Sequence, residues 1–186
     1  MKIWNRLMCY SRRHSPWIFH MNSGSCNGCD IELIASLTPR YDAEQLGVRL
    51  EGSPRHADIL CITGPVTKNS VQAIRTVYGQ VCSPKAVVAI GSCPATTNVF
   101  IDSRTLDGPL DRHLPVDVFV PGCPPRPDAI IQGIAAAAGI LAERAAKDLP
   151  AESLMVPLAG EEDACVCAQH PGASAATEAK SGEAQS

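Results

Sequence analysis

No apolar run in this sequence approaches the roughly 18 to 20 residues that a membrane helix needs; the best stretch, Ile134 to Ala142, lies just after Gln132 and stops at Glu143. The chain is therefore not expected to span a bilayer. A strong excess of either charge is also missing: the formal net charge is -3 at pH 7, so no global basic field points to nucleic acid as a partner. The opening MKIWNRLMCYSRRHSPWIF has neither the apolar core nor the small-residue cleavage site of a secretory signal. Ser11-Arg12-Arg13 resembles the start of a twin-arginine signal, but no apolar segment follows it. Internal repeats are absent. So are G-x-x-x-x-G-K-[ST], a strand-following G-x-G-x-x-G, H-E-x-x-H and G-x-S-x-G, which removes the common nucleotide, metalloprotease and serine-hydrolase templates. His14, His20, His56, His113 and His170 are scattered without spaced partners and read as structural or surface residues rather than ligands.

Cysteine, by contrast, is abundant, with nine in 186 residues. Without a secretory context, disulfides are not the expectation, and reduced cysteines in a cytosolic chain point to metal ligation or redox work. A hydrophobic content of 45% is enough for one domain with a real core and a short appendage. Composition divides the chain into a basic N-terminal arm over residues 1–22, an α/β domain over 23–150 and an acidic tail over 151–186. No acid precedes Asp30, while Lys2, Arg6, Arg12 and Arg13 charge the arm, and Trp4, Tyr10, Trp17 and Phe19 suit it to a partner protein or an anionic membrane surface. A loosely ordered terminus accounts for the same residues. From Ala159 onward there is no aromatic residue, and Glu161, Glu162, Asp163, Glu178 and Glu183 outweigh Lys180. Such a composition buries too little area to offset its ordering entropy, so a disordered tail is expected.

Between these ends, HADILCIT (His56 to Thr63), KAVVAI (Lys85 to Ile90) and VDVFV (Val116 to Val120) are short apolar, β-branched runs that read as buried parallel strands. Asn69 to Val81 and Cys29 to Leu37 have helical spacing, and Arg126 to Lys147 predicts a long helix with Pro127 in its first turn. Strands alternating with helices imply an open, mostly parallel, flavodoxin-like α/β sheet with helices on both faces.

Cys26 and Cys29 form a C-x-x-C in SGSCNGCD, Cys93 follows a strand in GSCP, and Cys123 follows another in PGCPP. Ligand sites of open α/β sheets lie outside the carboxyl ends of the strands, so these four thiols can converge there. Four cysteine sulfurs suit either structural zinc or an iron-sulfur cluster. One pair and two singles spread through a full domain favour a single 4Fe-4S cluster over the paired knuckles of a zinc ribbon. Cys61 reads as a small buried hydrophobe and Cys82 as the close of a helix. Cys9 sits in the arm, and Cys165-Val166-Cys167 with His170 reads as an exposed dithiol or a minor metal site. Glu32, one helical turn beyond Cys29, either tunes the cluster and passes protons or simply favours the helix dipole.

Together, SPWIFHMNSGSCNGCDIELIASLTPRYDAEQLGV, SPRHADILCITGPVT, AIGSCPATTNVF and VDVFVPGCPPRPDAIIQGI resemble the small subunit of membrane-bound, energy-converting nickel-iron hydrogenases, from about Ser15 to Leu141. That family is similar to the complex I subunit carrying the terminal cluster before quinone. The complex I pattern has adjacent cysteines at the first pair, whereas this chain has Cys26-Asn27-Gly28-Cys29, the spaced hydrogenase form. The resemblance implies that Cys26, Cys29, Cys93 and Cys123 hold a proximal 4Fe-4S cluster, with Glu32 matching a nearby acid. It implies three partners: a nickel-iron large subunit, a ferredoxin-like iron-sulfur subunit, and integral membrane subunits that would keep the chain peripheral on the inner face of the cytoplasmic membrane. The chain would relay electrons as one subunit of an oxidoreductase and would not be catalytic alone. The N-terminus, SPRH and GPVT are the expected contact segments. A complex I-like NADH or ferredoxin:quinone oxidoreductase subunit without nickel, and a zinc-stabilised binding module, are the alternatives.

Overall fold

The computed structural model describes residues 10, 11 and 14–148. Lys2, Trp4, Arg6, Cys9, Arg12, Arg13 and the whole acidic tail with Cys165, Cys167 and His170 lie outside the described residues.

Five strands form one parallel sheet: β1 (Trp17–Asn22), β2 (Arg49–Leu50), β3 (Ile59–Thr63), β5 (Ala86–Ile90) and β7 (Val118–Val120), in the order β2-β1-β3-β5-β7. Counted along the chain this is the 2-1-3-4-5 order of a flavodoxin-like doubly wound fold. A small antiparallel pair, β4 (Val66–Thr67) with β6 (Leu106–Gly108), stands apart from it. β3 and β5 are buried along their whole length, as expected for central strands covered on both faces. Their alternate side chains divide between two cores. Ile59, Cys61, Val88 and Ile90 pack with residues of α1 (Gly28–Ser36) and α4 (Pro127–Asp148), while Leu60, Ile62, Val87 and Ala89 pack with Ile74 of α2 (Val71–Gln80) and with Leu110. The helices therefore cover both faces.

Residues 17–22 are not part of an arm. They form β1, parallel to β3 from Ile18 opposite Ile59 to Asn22 opposite Thr63. The strand escapes a composition-based reading because only Ile18 of WIFHMN is fully buried, so no clean alternation marks it. At the amino edge of the sheet, the Arg144 guanidinium of α4 is ion-paired with Asp117 and donates to the Lys85 carbonyl at 2.7 Å. Asp117 also accepts the Val87 amide at 2.9 Å, so one carboxylate ties α4 to the starts of β5 and β7. Among the described residues, no helix is long and apolar enough to cross a membrane.

Candidate metal centre

Asn22, Thr63, Ile90 and Val120 lie side by side in the sheet register and are the last residues of β1, β3, β5 and β7. Short exits from that single row carry the cysteines. Cys26 lies in the loop after β1, and Cys29 in the first turn of α1, entered through Asn27 in the left-handed region at φ 74°. Cys93 follows β5 in the short helix α3 (Ser92–Thr96), and Cys123 follows β7 with a cis bond to Pro124. The last two loops are bound to each other: Gly91 N–H donates to Val120 O at 2.8 Å and Ser92 N–H to Gly122 O at 2.8 Å. The loop after β3 supplies no cysteine. That strand exits through Gly64, at φ 81°, where a Cβ would come within 2.2 Å of the Ser25 backbone nitrogen, so only glycine lets the two loops cross.

The four thiols share one field. Burial first, then Cys93, Cys26, Asp30 and Cys123, push the Cys29 thiol up to about 11. The Cys93 thiol is raised by burial and then by Cys123 and Cys26, against a bond from Asn98. Cys29 and Cys93 are buried, whereas Cys26 and Cys123 are exposed, so the group opens to the surface on one side. Four thiolates here would repel, and a bound cationic group is what would stabilise them together. Among the described residues, no three His, Cys, Asp or Glu side chains are gathered closely enough to hold a single metal ion.

The other cysteines stand apart from this group. Cys61 is fully buried in β3, where burial pushes its thiol up to about 12, and exposed Cys82 donates to the Arg55 carbonyl at 3.6 Å. Glu32 is half-buried on α1, with no hydrogen bond or ion pair among the described residues. SPRH forms a turn of helix, Pro54–His56, before β3, at the opposite edge from Cys26, Cys29, Cys93 and Cys123. GPVT is at the cysteine edge, where the Gly64 and Pro65 carbonyls accept the buried Ser23 hydroxyl at 2.8 and 3.2 Å.

The carboxylate that the structure brings to the cysteines is Asp30. It is buried and accepts hydrogen bonds from Asn22 Nδ2 at 2.6 Å and Ser25 Oγ at 2.7 Å, and from the Thr63 hydroxyl, with His20 Nε2 at 2.9 Å. Burial alone would raise its pKa, but Thr63, Ser25, His20 and Asn22 outweigh burial and hold it below the ordinary aspartate value. Sequence reasoning missed Asp30 and His20 because their partners come from β1 and β3, not from a spaced motif. The position directly after Cys29 was the one available signal.

Residues 26–137 match the family described as NADH ubiquinone oxidoreductase, 20 Kd subunit, a span that takes in all four cysteines. The chain belongs to that family. Within it, the chain is 58% identical over 145 residues to the "Probable membrane-bound hydrogenase subunit mbhJ" of Pyrococcus furiosus, covering 78% of this chain and 87% of that one. It is 42% identical over 129 residues to an NADH-quinone oxidoreductase subunit of Geotalea daltonii, covering 69% and 73%. A chain in the structure of the membrane-bound sulfane sulfur reductase, an archaeal respiratory membrane complex, superposes with a TM-score of 0.65 at 36% identity, covering 74% of this chain and 76% of that one. The resemblance read from the sequence is a family relationship, and the family is one of oxidoreductase-complex subunits.

Proposed function

We propose that this chain is the electron-transfer small subunit of an energy-converting nickel-iron hydrogenase complex. The observation that carries the reading is the convergence of Cys26, Cys29, Cys93 and Cys123 from three loops onto one edge of the sheet. When bound, a single 4Fe-4S cluster would supply a one-electron couple between a ferredoxin-like subunit and the nickel-iron site of a large subunit. The chain's own residues would do the rest. Buried Cys29 and Cys93 hold the inner side of the group, and exposed Cys26 and Cys123 leave its outer side facing a neighbouring subunit.

Partner contact has a physical basis at the same edge. Val99 and Ile101 are 79% and 71% exposed just beyond α3, and Ile31 on α1 is 60% exposed, an apolar display suited to burial against another protein. Attachment to the membrane would come through integral partner subunits, which would keep this chain on the inner face of the cytoplasmic membrane. The spaced first pair and the 58% identity to a hydrogenase subunit support a nickel-iron partner. A second reading, a quinone- or sulfur-reducing complex without nickel, is favoured by the likeness to the sulfane sulfur reductase chain.

Anaerobic purification with metal analysis and low-temperature EPR after dithionite reduction tests both. About four irons per chain, with a signal altered in Cys93→Ser, supports the relay. Nickel in a co-purifying large subunit selects the hydrogenase reading, and its absence selects the other. One zinc and no visible absorbance overturns the cluster.

A further inference from the structure

We propose that Asp30 is a positioning residue that latches the Cys26–Cys29 loop onto the sheet and sets a fixed negative charge beside Cys29, making the bound cluster harder to reduce. The proposal rests on the cluster reading above and goes beyond it.

The latch is a closed set of hydrogen bonds. The two side chains that donate to one oxygen of Asp30, Asn22 and Ser25, also hold the loop backbone. Asn22 Oδ1 accepts the amides of Gly24 and Ser25, each at 2.8 Å, and Ser25 Oγ accepts the amide of Asn27 at 3.0 Å. The other carboxylate oxygen takes the Thr63 hydroxyl of β3 and faces His20 of β1. One side chain thus joins β1, the loop, the first turn of α1 and β3. The loop between Asn22 and Cys29 is held by the protein itself, before any bound group is considered.

The charge needs an explanation of its own. Thiolate ligation gains nothing from a buried acid, since the negative charge of a carboxylate repels that of a thiolate next to it in sequence. A neutral amide could fill the same frame, since the Ser25 and Thr63 hydroxyls can turn and His20 has two tautomers. What a carboxylate adds is a negative charge that bulk water screens weakly, because Asp30 is only 8% exposed. Reduction adds one electron and no proton at this residue, so the carboxylate disfavours the reduced state more than the oxidised one.

The test uses the full-length chain, purified anaerobically, with Asp30→Asn and Asp30→Ala. Iron per chain is measured, and the midpoint potential is followed by EPR during dithionite titration at one fixed pH. Asp30→Asn keeps the frame and is expected to carry the wild-type iron content. Its reduced-to-oxidised ratio at a given potential should be about tenfold higher, about 59 mV for a one-electron couple. Asp30→Ala is expected to lose at least half of its iron. A wild-type midpoint in Asp30→Asn overturns the charge role, as does loss of iron in that conservative variant. Full iron with an unchanged line shape in Asp30→Ala overturns the latch. Wild-type protein without iron overturns the parent reading instead, and that is determined before either variant is compared.

Discussion

The sulfur of Cys29 occupies the space that a side chain at residue 91 would need: a Cβ built on Gly91 would stand 2.7 Å from it. Gly91 also has φ 99° and ψ 170°, a region open essentially to glycine alone. A cysteine from the first turn of α1 is seated against the exit of β5, and only the lack of a side chain there permits it.

Gly91→Ala is therefore expected to destabilise the fold by about 1–3 kcal/mol from the backbone alone and to reduce iron binding. Gly139→Ala, in α4 with nothing within 4 Å of its Cβ, is the control and should stabilise by about 0.5–1 kcal/mol. Urea midpoints and iron content after anaerobic purification separate the two.

Cysteine replacements should split by location. Cys61→Ser buries a hydroxyl inside β3 and should cost about 1–3 kcal/mol while leaving the metal-dependent visible absorbance intact. Cys82→Ser, at an exposed position, should change neither stability nor absorbance measurably. Loss of absorbance in Cys61→Ser at a temperature where the protein is folded would contradict the assignment of the ligand set.

The thiols predict how stability depends on pH in metal-free protein. The folded-state pKa of Cys29 is raised from 9.0 to about 11, so the stability it contributes is fully present below pH 9 and is lost as pH rises through 11. Cys61, raised to about 12, acts in the same direction. Asp30 is lowered from 3.8, so its contribution is present above that pH and is lost as pH falls below it. Chemical denaturation of chelator-treated protein should show a plateau between these limits, and a midpoint rising above pH 9 would contradict the burial of Cys29.

Arg144→Ala should destabilise by about 1–2 kcal/mol, because it leaves the Asp117 carboxylate, whose side chain is 10% exposed, without its main cation, while Arg144 itself is partly solvated. The pair sits at the amino edge, opposite the cysteines. Denaturation should therefore move while the EPR line shape of reduced protein stays fixed.

Val99→Ser with Ile101→Ser removes two exposed apolar side chains and should change the stability of the isolated chain by no more than about 0.5 kcal/mol. Co-purification of a large subunit should fall sharply. Unchanged recovery of the complex would remove this loop from the proposed interface.

What could be read from the chain alone follows the range of each signal. HADILCIT and KAVVAI contain the strands Ile59–Thr63 and Ala86–Ile90 because burial on both faces leaves continuous apolar runs. Val71–Gln80 and Pro127–Asp148 are legible because helical spacing and the proline at the start of α4 are local. The C-x-x-C and the cysteines after two strands are local as well, and the carboxyl-edge rule places them together without any contact being known.

Tertiary structure decided what depends on distant partners. WIFHMN became a strand because β2 and β3 flank it, a pairing that reaches from residue 18 to residue 59 and that its own composition does not announce. Asp30, rather than Glu32, became the carboxylate tied into the cysteine loop, because Thr63 lies 33 residues away in sequence yet ends the adjacent strand. Periodicity and spacing report which residues can share a helix face or a strand face. Hydrogen-bond partners drawn from separate strands are set by register, and register exists only once the sheet has formed.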